Sequence, residues 1–217
     1  MNTTLTRTCR AALAVGLLIV ISYLFVDRPV AEAALTLRDT AWHALAKGLS
    51  QVANHLFFTV LVAAGLIAGA VDGLVNGLTN RSRNLLYLCL AVASAMLIGD
   101  VFKEFFGRAR PPLLFTKGVY GFFPLAGGDM HSSFPSGHTL RIFSAMTALG
   151  FILSRLRVPA LVLASAVGVS RVLALRHYPS DVLFGAFLGV TVAVWAWRVL
   201  HPESACPPVN RKRNLPR

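Results

Sequence analysis

The feature that most constrains this chain is a series of apolar stretches, near residues 11–26, 56–75, 85–102, 139–154, 159–175 and 182–200, each close to the length of a membrane crossing. A hydrocarbon core of roughly 30 Å takes about 20 apolar residues in helical form, because only a helix or a closed barrel satisfies all backbone polar groups away from water. With 55% hydrophobic and 14% charged residues, and a mean hydropathy of +0.63, the composition excludes an ordinary soluble domain. The expectation is an all-α polytopic membrane protein with six transmembrane helices, a single embedded domain over residues 1–217 and a basic tail at 201–217. The first, fourth and fifth stretches are the weakest of the six, being short or carrying a charge.

Arg7 and Arg10 ahead of the first stretch, and Ala31-Glu32-Ala33 after it, also fit a cleaved signal peptide. The run is long for a signal core, and Asp27-Arg28-Pro29 intervenes before the small-residue site, so an uncleaved helix is expected. Arg7, Arg10, Arg81, Arg83, Arg155, Arg157, Arg198, Arg211, Lys212 and Arg213 all fall in alternate connections or tails, which the positive-inside rule assigns to the cytoplasm. Both termini are then cytoplasmic, and segments 27–55, 103–138 and 171–181 share the outer face.

The formal charge of +12 belongs largely to these arginines, and the tail lacks interleaved aromatics, so nucleic acid is not an expected partner. Membrane lipid is; the basic tail suits an anionic leaflet or serves only to fix topology. Cys9, Cys89 and Cys206 are too dispersed to predict a disulfide or metal framework. The external segment 112–134, rich in Gly, Phe and Pro, is expected to pack over the site as a loop, with its Asp129 and His131 incidental to the chemistry.

Three short motifs carry chemistry: residues 103–111 (KEFFGRARP), 135–138 (PSGH) and 170–181 (SRVLALRHYPSD). Lys103 and Arg110 are seven residues apart, so on a continuing helix they project from one face at the outer end of the third span. Taken alone, they equally suit interfacial anchors that snorkel. In PSGH, Ser136 is placed to cap a helix, Gly137 admits a ligand close to the backbone, and the free N–H groups of the helix start suit phosphate oxygens. A plain Ser-Gly cap explains all of this except His138, which beside a phosphate can protonate a leaving alkoxide. In the third motif Arg171 offers a fork for two phosphate oxygens. Asp181 follows His177 by four residues, one helical turn, placing a carboxylate to fix the imidazole tautomer and leave the other nitrogen nucleophilic. The plainer alternative is a helix cap with Asp181 at the positive end of the dipole.

These segments match the Lys-x6-Arg-Pro, Pro-Ser-Gly-His and Ser-Arg-x5-His-x3-Asp signature of the type 2 phosphatidic acid phosphatase superfamily, the membrane relatives of vanadium haloperoxidases, and the chain resembles that family over about residues 99–190. The resemblance implies a six-helix lipid phosphatase with its active site at the outer end of helices 3–6 and no metal or other cofactor. It implies that Lys103, Arg110, Ser136, Gly137 and Arg171 bind the phosphoryl group. His177 would form a phosphohistidine, Asp181 would orient and stabilise it, and His138 would protonate the leaving oxygen and then activate water.

A soluble-type haloperoxidase, a lipid-to-lipid phosphotransferase and a transporter are the competing classes. The transporter gives no reason for the two histidines, whereas the phosphotransferase would share every residue. The motifs describe a phosphate, not a lipid tail, so undecaprenyl diphosphate, phosphatidylglycerol phosphate, phosphatidic acid and lipid A all remain candidate substrates. The expected setting is a bacterial inner membrane, with the site facing the periplasm. Arg108, Arg141 and Arg176 lie beside the signature without being required by it, and are candidates for holding a second anionic group; pairing with Asp100, Glu104 or Asp129, or snorkelling toward headgroups, is the plainer expectation for them.

Overall fold

The computed structural model describes residues 2–202, nearly all of whose regular structure is helical. α1 (Asn2–Ile21) runs through a π-helical turn at Ser22–Val26 into α2 (Asp27–Thr36), forming one continuous rod. α3 (Ala41–Ser50) and a 3₁₀ turn (Gln51–Ala53) lead into α4 (His55–Asn76), where the Asn54 side chain accepts the Leu56 N–H at 2.9 Å and so satisfies one of the orphan donors of the helix start. α5 (Asn80–Phe106) is capped in the same way by Thr79, which accepts from Ser82 N–H at 3.2 Å. α6 (Pro111–Lys117), α7 (Gly137–Ile152), α8 (Arg157–Leu173) and α9 (Pro179–Leu200) complete the chain.

Among the described residues five helices are long and apolar enough to cross a membrane: Thr3–Thr36, Ala41–Asn76, Asn80–Phe106, Ser154–Leu173 and Pro179–Leu200. The expected span at 139–154 is not among them, so length and composition account for five of the six expected crossings. Its helix, α7, has 16 residues, about 24 Å at 1.5 Å per residue. It packs against α5, α8 and α9 at the centre of the bundle. A helix walled by protein is released from the length and composition that lipid imposes. Accordingly α7 buries Thr139, Arg141 and Ser144 as well as Leu140, Ile142 and Ala145.

Leu13, Leu17 and Phe25 on the first rod, Leu61 and Leu74 on α4 and Val101 on α5 are exposed, as lipid-facing side chains should be. The interior is built from small and medium side chains, with Phe58, Val62, Cys89, Val92, Ile142, Ala145, Ala164 and Val167 forming the main cluster. Below it Tyr87 packs with Ala91, Ala148 and Ala193 and donates its hydroxyl to the Ala193 carbonyl at 3.0 Å. Cys9 is exposed and Cys89 buried, while Cys206 and the basic residues 211–213 lie outside the described residues.

α7 and α9 approach backbone to backbone. A Cβ on Gly185 would lie 2.8 Å from the Ser136 carbonyl oxygen, and one on Gly189 would lie 2.5 Å from that of Leu140 and 3.0 Å from the Ser144 nitrogen. These are backbone atoms that cannot swing aside, so the two glycines set the distance between the helix that opens with PSGH and the helix that opens below His177. Gly189→Ala should therefore lower stability by about 1–3 kcal/mol through forced helix separation, read as a reduced melting temperature of the detergent-solubilised protein; an unchanged Tm would contradict this packing.

Candidate active site

The site is assembled by three helix ends and the segment between α5 and α7. α5 stops at Phe106 because Gly107 turns the chain at φ +55°. A Cβ there would stand 1.8 Å from the Phe123 carbonyl oxygen, so this turn admits only glycine. Lys103 is consequently in the last turn of α5 while Arg110 precedes α6, and the two do not share a helix face as their spacing had predicted. Segment 112–134 packs back on residues 107–110, as expected of a loop over the site: Ala109 N–H donates to Gly121 O at 3.0 Å, Phe123 N–H to Gly107 O at 3.1 Å and Arg110 N–H to Met130 O at 2.9 Å.

Lys103, Gly137 and Arg141 converge on one point. Around the position a Gly137 Cβ would take, Lys103 Nζ is at 3.0 Å and Arg141 Nη1 at 3.3 Å. The absent side chain is what leaves room between two cations and the start of α7. Lys103 is held by Asp100 at 2.7 Å. Arg110 is held by Asp129 at 3.0 Å and by Ser132 Oγ at 3.1 Å. Arg171, buried near the end of α8, completes the set. The Nε atoms of Arg110 and Arg171 are both buried with no hydrogen-bond partner among the described residues, which suits an anion as their acceptor. Ser136 precedes α7 but does not cap its backbone; its hydroxyl pairs with Thr139 Oγ1 at 2.9 Å.

The partners of the two histidines fix their tautomers. His138, in the first turn of α7, has Nδ1 3.3 Å from Arg141 Nη2. A guanidinium only donates, so Nδ1 accepts and the proton of neutral His138 sits on Nε2. His177 Nδ1 is 2.7 Å from the Ser133 carbonyl oxygen, which only accepts, so Nδ1 carries the proton and Nε2 keeps a free lone pair. Burial, reinforced by the charges of Arg171 and Arg110, pushes the His177 pKa well below its ordinary value, while the Ser133 carbonyl acts weakly in the opposite sense.

The expected His177–Asp181 hydrogen bond is not formed. Asp181 Oδ2 lies 3.9 Å from His177 Nδ1. The one-turn spacing fails because α9 begins only at Pro179, with Tyr178 extended, so His177 stands outside the helix that carries Asp181. Asp181 reaches His177 through Ser133 instead: its carboxylate accepts the Ser133 hydroxyl at 2.7 Å and the Tyr178 N–H at 2.8 Å, and the carbonyl of the same serine holds the imidazole.

Arg108 is not available as an anion contact. It is fully buried, paired with Asp181 and, at 2.6 Å, with Asp27; it donates to Ser180 Oγ at 2.6 Å. The Tyr178 and Tyr23 rings lie 4.6 and 5.1 Å from its guanidinium carbon. Burial alone would lower its pKa, but the carboxylates of Asp181 and Asp27 reverse that and hold it raised. Arg141 also departs from expectation. Rather than pairing with an acid it donates to the Ala53 carbonyl at 3.0 Å and faces the Lys103–Gly137 point, inside the cage. Arg176 stays half-exposed, 3.7 Å from Asp129.

Asp27 and Ser133 are the residues that sequence reasoning passed over. Asp27 has one available signal, an acid buried at the end of an apolar helix, which in a membrane protein marks a partner. Ser133 has none, because its contribution to His177 is a backbone carbonyl. Asp129, treated as incidental, bridges Arg110 and Arg176, and His131 packs its ring edge-on to Phe123. Among the described residues no group of three or more His, Cys, Asp or Glu side chains is placed to hold a metal ion.

Known proteins resemble this chain in sequence and in fold. The sequence profile of the PAP2 superfamily matches residues 84–204. A lipid A 1-phosphatase of Rhizobium johnstonii is 34% identical over 112 residues, covering 50% of this chain and 46% of that protein. Lipid phosphate phosphatase 1 of Arabidopsis thaliana is 31% identical over 148 residues, covering 55% and 45%. The chain thus spans about half the length of the curated relatives it matches. In fold it is similar to a PAP2 type phosphatidylglycerolphosphate phosphatase from Bacillus subtilis (TM-score 0.64, 21% identity, 91% of this chain and 98% of that one). It is similar also to LpxE of Aquifex aeolicus (TM-score 0.60, 20% identity, 80% and 95%).

Two outcomes follow from the site. Asp27→Ala leaves Arg108 buried with one carboxylate fewer, and should cost about 3–5 kcal/mol of stability, measurable as a large drop in Tm in detergent; a small drop would mean that Asp181 alone suffices to neutralise Arg108. The second concerns pH. Because burial and the two arginines depress the His177 pKa, the imidazole stays neutral as pH falls through 6.5, the ordinary value. Arg110→Gln removes one depressing charge and raises that pKa, so the ratio of variant to wild-type kcat/KM should decline as pH falls toward and below 6.5, with the titration of the substrate cancelling in the ratio. A pH-independent ratio would exclude this coupling.

Proposed function

Because the chain belongs to the PAP2 superfamily, we propose that it is an integral-membrane lipid phosphatase that transfers the phosphoryl group of a lipid phosphate first to His177 and then to water. The observation that carries the reading is the tautomer of His177. The Ser133 carbonyl at 2.7 Å claims Nδ1–H and leaves the Nε2 lone pair free, with the charges of Arg171 and Arg110 acting on the ring.

In the proposed reaction the cations and the N–H groups at the start of α7 bind the phosphoryl oxygens and neutralise charge as it spreads over them. His177 Nε2 attacks phosphorus, and the bond from phosphorus to the lipid oxygen breaks. With the phosphoryl group bound beside it, His138 takes up a second proton; as an imidazolium it gives its Nε2 proton to that oxygen and returns to the neutral form, releasing a lipid alcohol or, from a diphosphate, a lipid monophosphate. Water then attacks the phosphohistidine, His138 takes up a proton, and inorganic phosphate leaves with His177 restored. In the substrate-free protein Arg141, donating to His138 Nδ1, holds the proton of the neutral imidazole on Nε2.

Among undecaprenyl diphosphate, phosphatidylglycerol phosphate, phosphatidic acid and lipid A, the Rhizobium relative favours a phosphorylated glycolipid. The setting we infer is a bacterial inner membrane with the site toward the periplasm. Arg81 and Arg83 begin α5 and Lys103 ends it; Arg157 begins α8 and Arg171 ends it. The topogenic arginines therefore stand at the opposite end of the bundle from the cage, as the positive-inside rule requires of an outward-facing site.

Purified protein in detergent, with chelator present, should release inorganic phosphate from at least one of these four lipids. His177→Ala should retain its fold and lose more than about a thousandfold in kcat, as expected when a covalent catalyst worth ~4 kcal/mol of barrier is removed. Turnover within about tenfold of wild type would exclude His177 as the nucleophile.

A further inference from the structure

We propose that a basic cavity beside the phosphate cage is a subsite for a second phosphate group on the same lipid substrate, with Arg38, Lys47 and Arg176 as its ligands. The proposal rests on the lipid phosphatase reading and names the class of substrate: a lipid carrying another phosphate besides the one transferred.

The cavity has a volume of about 330 Å³. One wall comes from the residues that follow the cage motifs directly. Phe115 belongs to α6, which starts just after Arg110, and Leu175 and Arg176 lie between Arg171 and His177. The other wall is Leu35 near the end of α2, Arg38 just beyond it and Lys47 on α3. α3 is fastened there by His43, whose Nδ1 lies 3.0 Å from the Leu173 carbonyl at the end of α8. The lining thus brings three cations together, and no carboxylate is part of it. Arg38 and Lys47 are exposed, and among the described residues neither forms an ion pair. Three like charges around one concavity raise its potential and favour an anion there.

The cavity and the cage meet at a single side chain. Asp129 places one carboxylate oxygen 3.0 Å from Arg110 and the other 3.7 Å from Arg176, and is itself 63% exposed. A carboxylate spanning two guanidinium groups shows that these cations are one small anion apart. A phosphate on Arg110 therefore puts the rest of the same substrate within reach of Arg176, and beyond it of Arg38 and Lys47. Leu35, Phe115 and Leu175 give the cavity an apolar side, suited to the carbon skeleton between two phosphates.

The test compares wild type with an Arg38→Ala/Lys47→Ala double variant, following phosphate release from a bis-phosphorylated disaccharide glycolipid and from phosphatidic acid in neutral detergent micelles. Neither residue belongs to the cage, and both side chains are exposed. The double variant should lose about tenfold or more in kcat/KM on the bis-phosphorylated lipid, chiefly through KM, and keep wild-type kcat/KM on phosphatidic acid. An Arg38→Lys/Lys47→Arg variant, which preserves the charges, should behave as wild type on both. Equal losses on the two lipids, or no loss on either, would overturn the proposal. So would a loss on phosphatidic acid seen in phosphatidylcholine vesicles only when phosphatidylglycerol is added, since the cations would then be holding bilayer headgroups. If wild type releases phosphate from none of the four candidate lipids, the phosphatase reading itself fails and the subsite with it, an outcome distinct from a working enzyme that ignores the two substitutions; turnover of the other two lipids but not of the bis-phosphorylated glycolipid would overturn the subsite alone.

Discussion

The arrangement of this molecule depends on one buried guanidinium. Arg108 lies wholly inside the protein between Asp27 and Asp181, with Ser180 as a further acceptor. A lone cation in that position would be prohibitively costly, and a lone pair of carboxylates equally so. Together they form a unit in which each charge is tolerable only while the others stay in place. The unit ties the end of the first rod, the turn after α5 and the start of α9 to one point. Asp27 strengthens the joint by accepting the Ser180 N–H at 3.0 Å and the Ser22 hydroxyl at 2.8 Å.

Catalytic geometry hangs from that joint. Asp181 holds the Ser133 hydroxyl, and the Ser133 carbonyl holds His177. The carboxylate that neutralises Arg108 thus also sets the tautomer of the proposed nucleophile, at one remove. This division has a chemical advantage. A carboxylate bonded directly to the imidazole would favour its protonated form, whereas a neutral carbonyl orients the ring and leaves its pKa depressed by burial and by Arg171 and Arg110. The cage itself is the complementary design, a set of cations with few carboxylates, in which two arginine Nε donors stay buried without protein partners. Its mutual repulsion is a standing cost that a bound anion would relieve.

Packing by small residues makes this electrostatic arrangement possible. The glycines of α9 bring its backbone onto that of α7, and α7, enclosed by its neighbours, carries His138 and Arg141 at its outer end. Lipid contact would forbid a buried arginine and a helix of this length; enclosure in protein permits both. The signature segments come together where helix ends, with their free N–H groups and turn glycines, leave the backbone accessible to a ligand.

The sequence by itself determined the membrane class, from apolar runs long enough to cross a bilayer, and singled out Lys103, Arg110, Arg171 and the two histidines as candidates, since a phosphate calls for cations and imidazoles, while setting Arg141 apart from them. It also indicated that the three motifs share one face, because loop arginines fix which ends lie together. Only the tertiary structure decided how the motifs are wired. Asp27 meets Ser180 across 153 residues of chain, and no local pattern encodes that pairing. The one-turn rule linking His177 to Asp181 presumed a helix that starts two residues later than it required, and the seven-residue rule linking Lys103 to Arg110 presumed one that Gly107 ends. The partners of His177 and Arg141 are the carbonyls of Ser133 and Ala53, groups that every residue possesses and no side chain announces. Side-chain chemistry is written along the sequence, but backbone acceptors and long-range charge pairs exist only once the chain has folded, and in this molecule those are the contacts that orient the reactive groups.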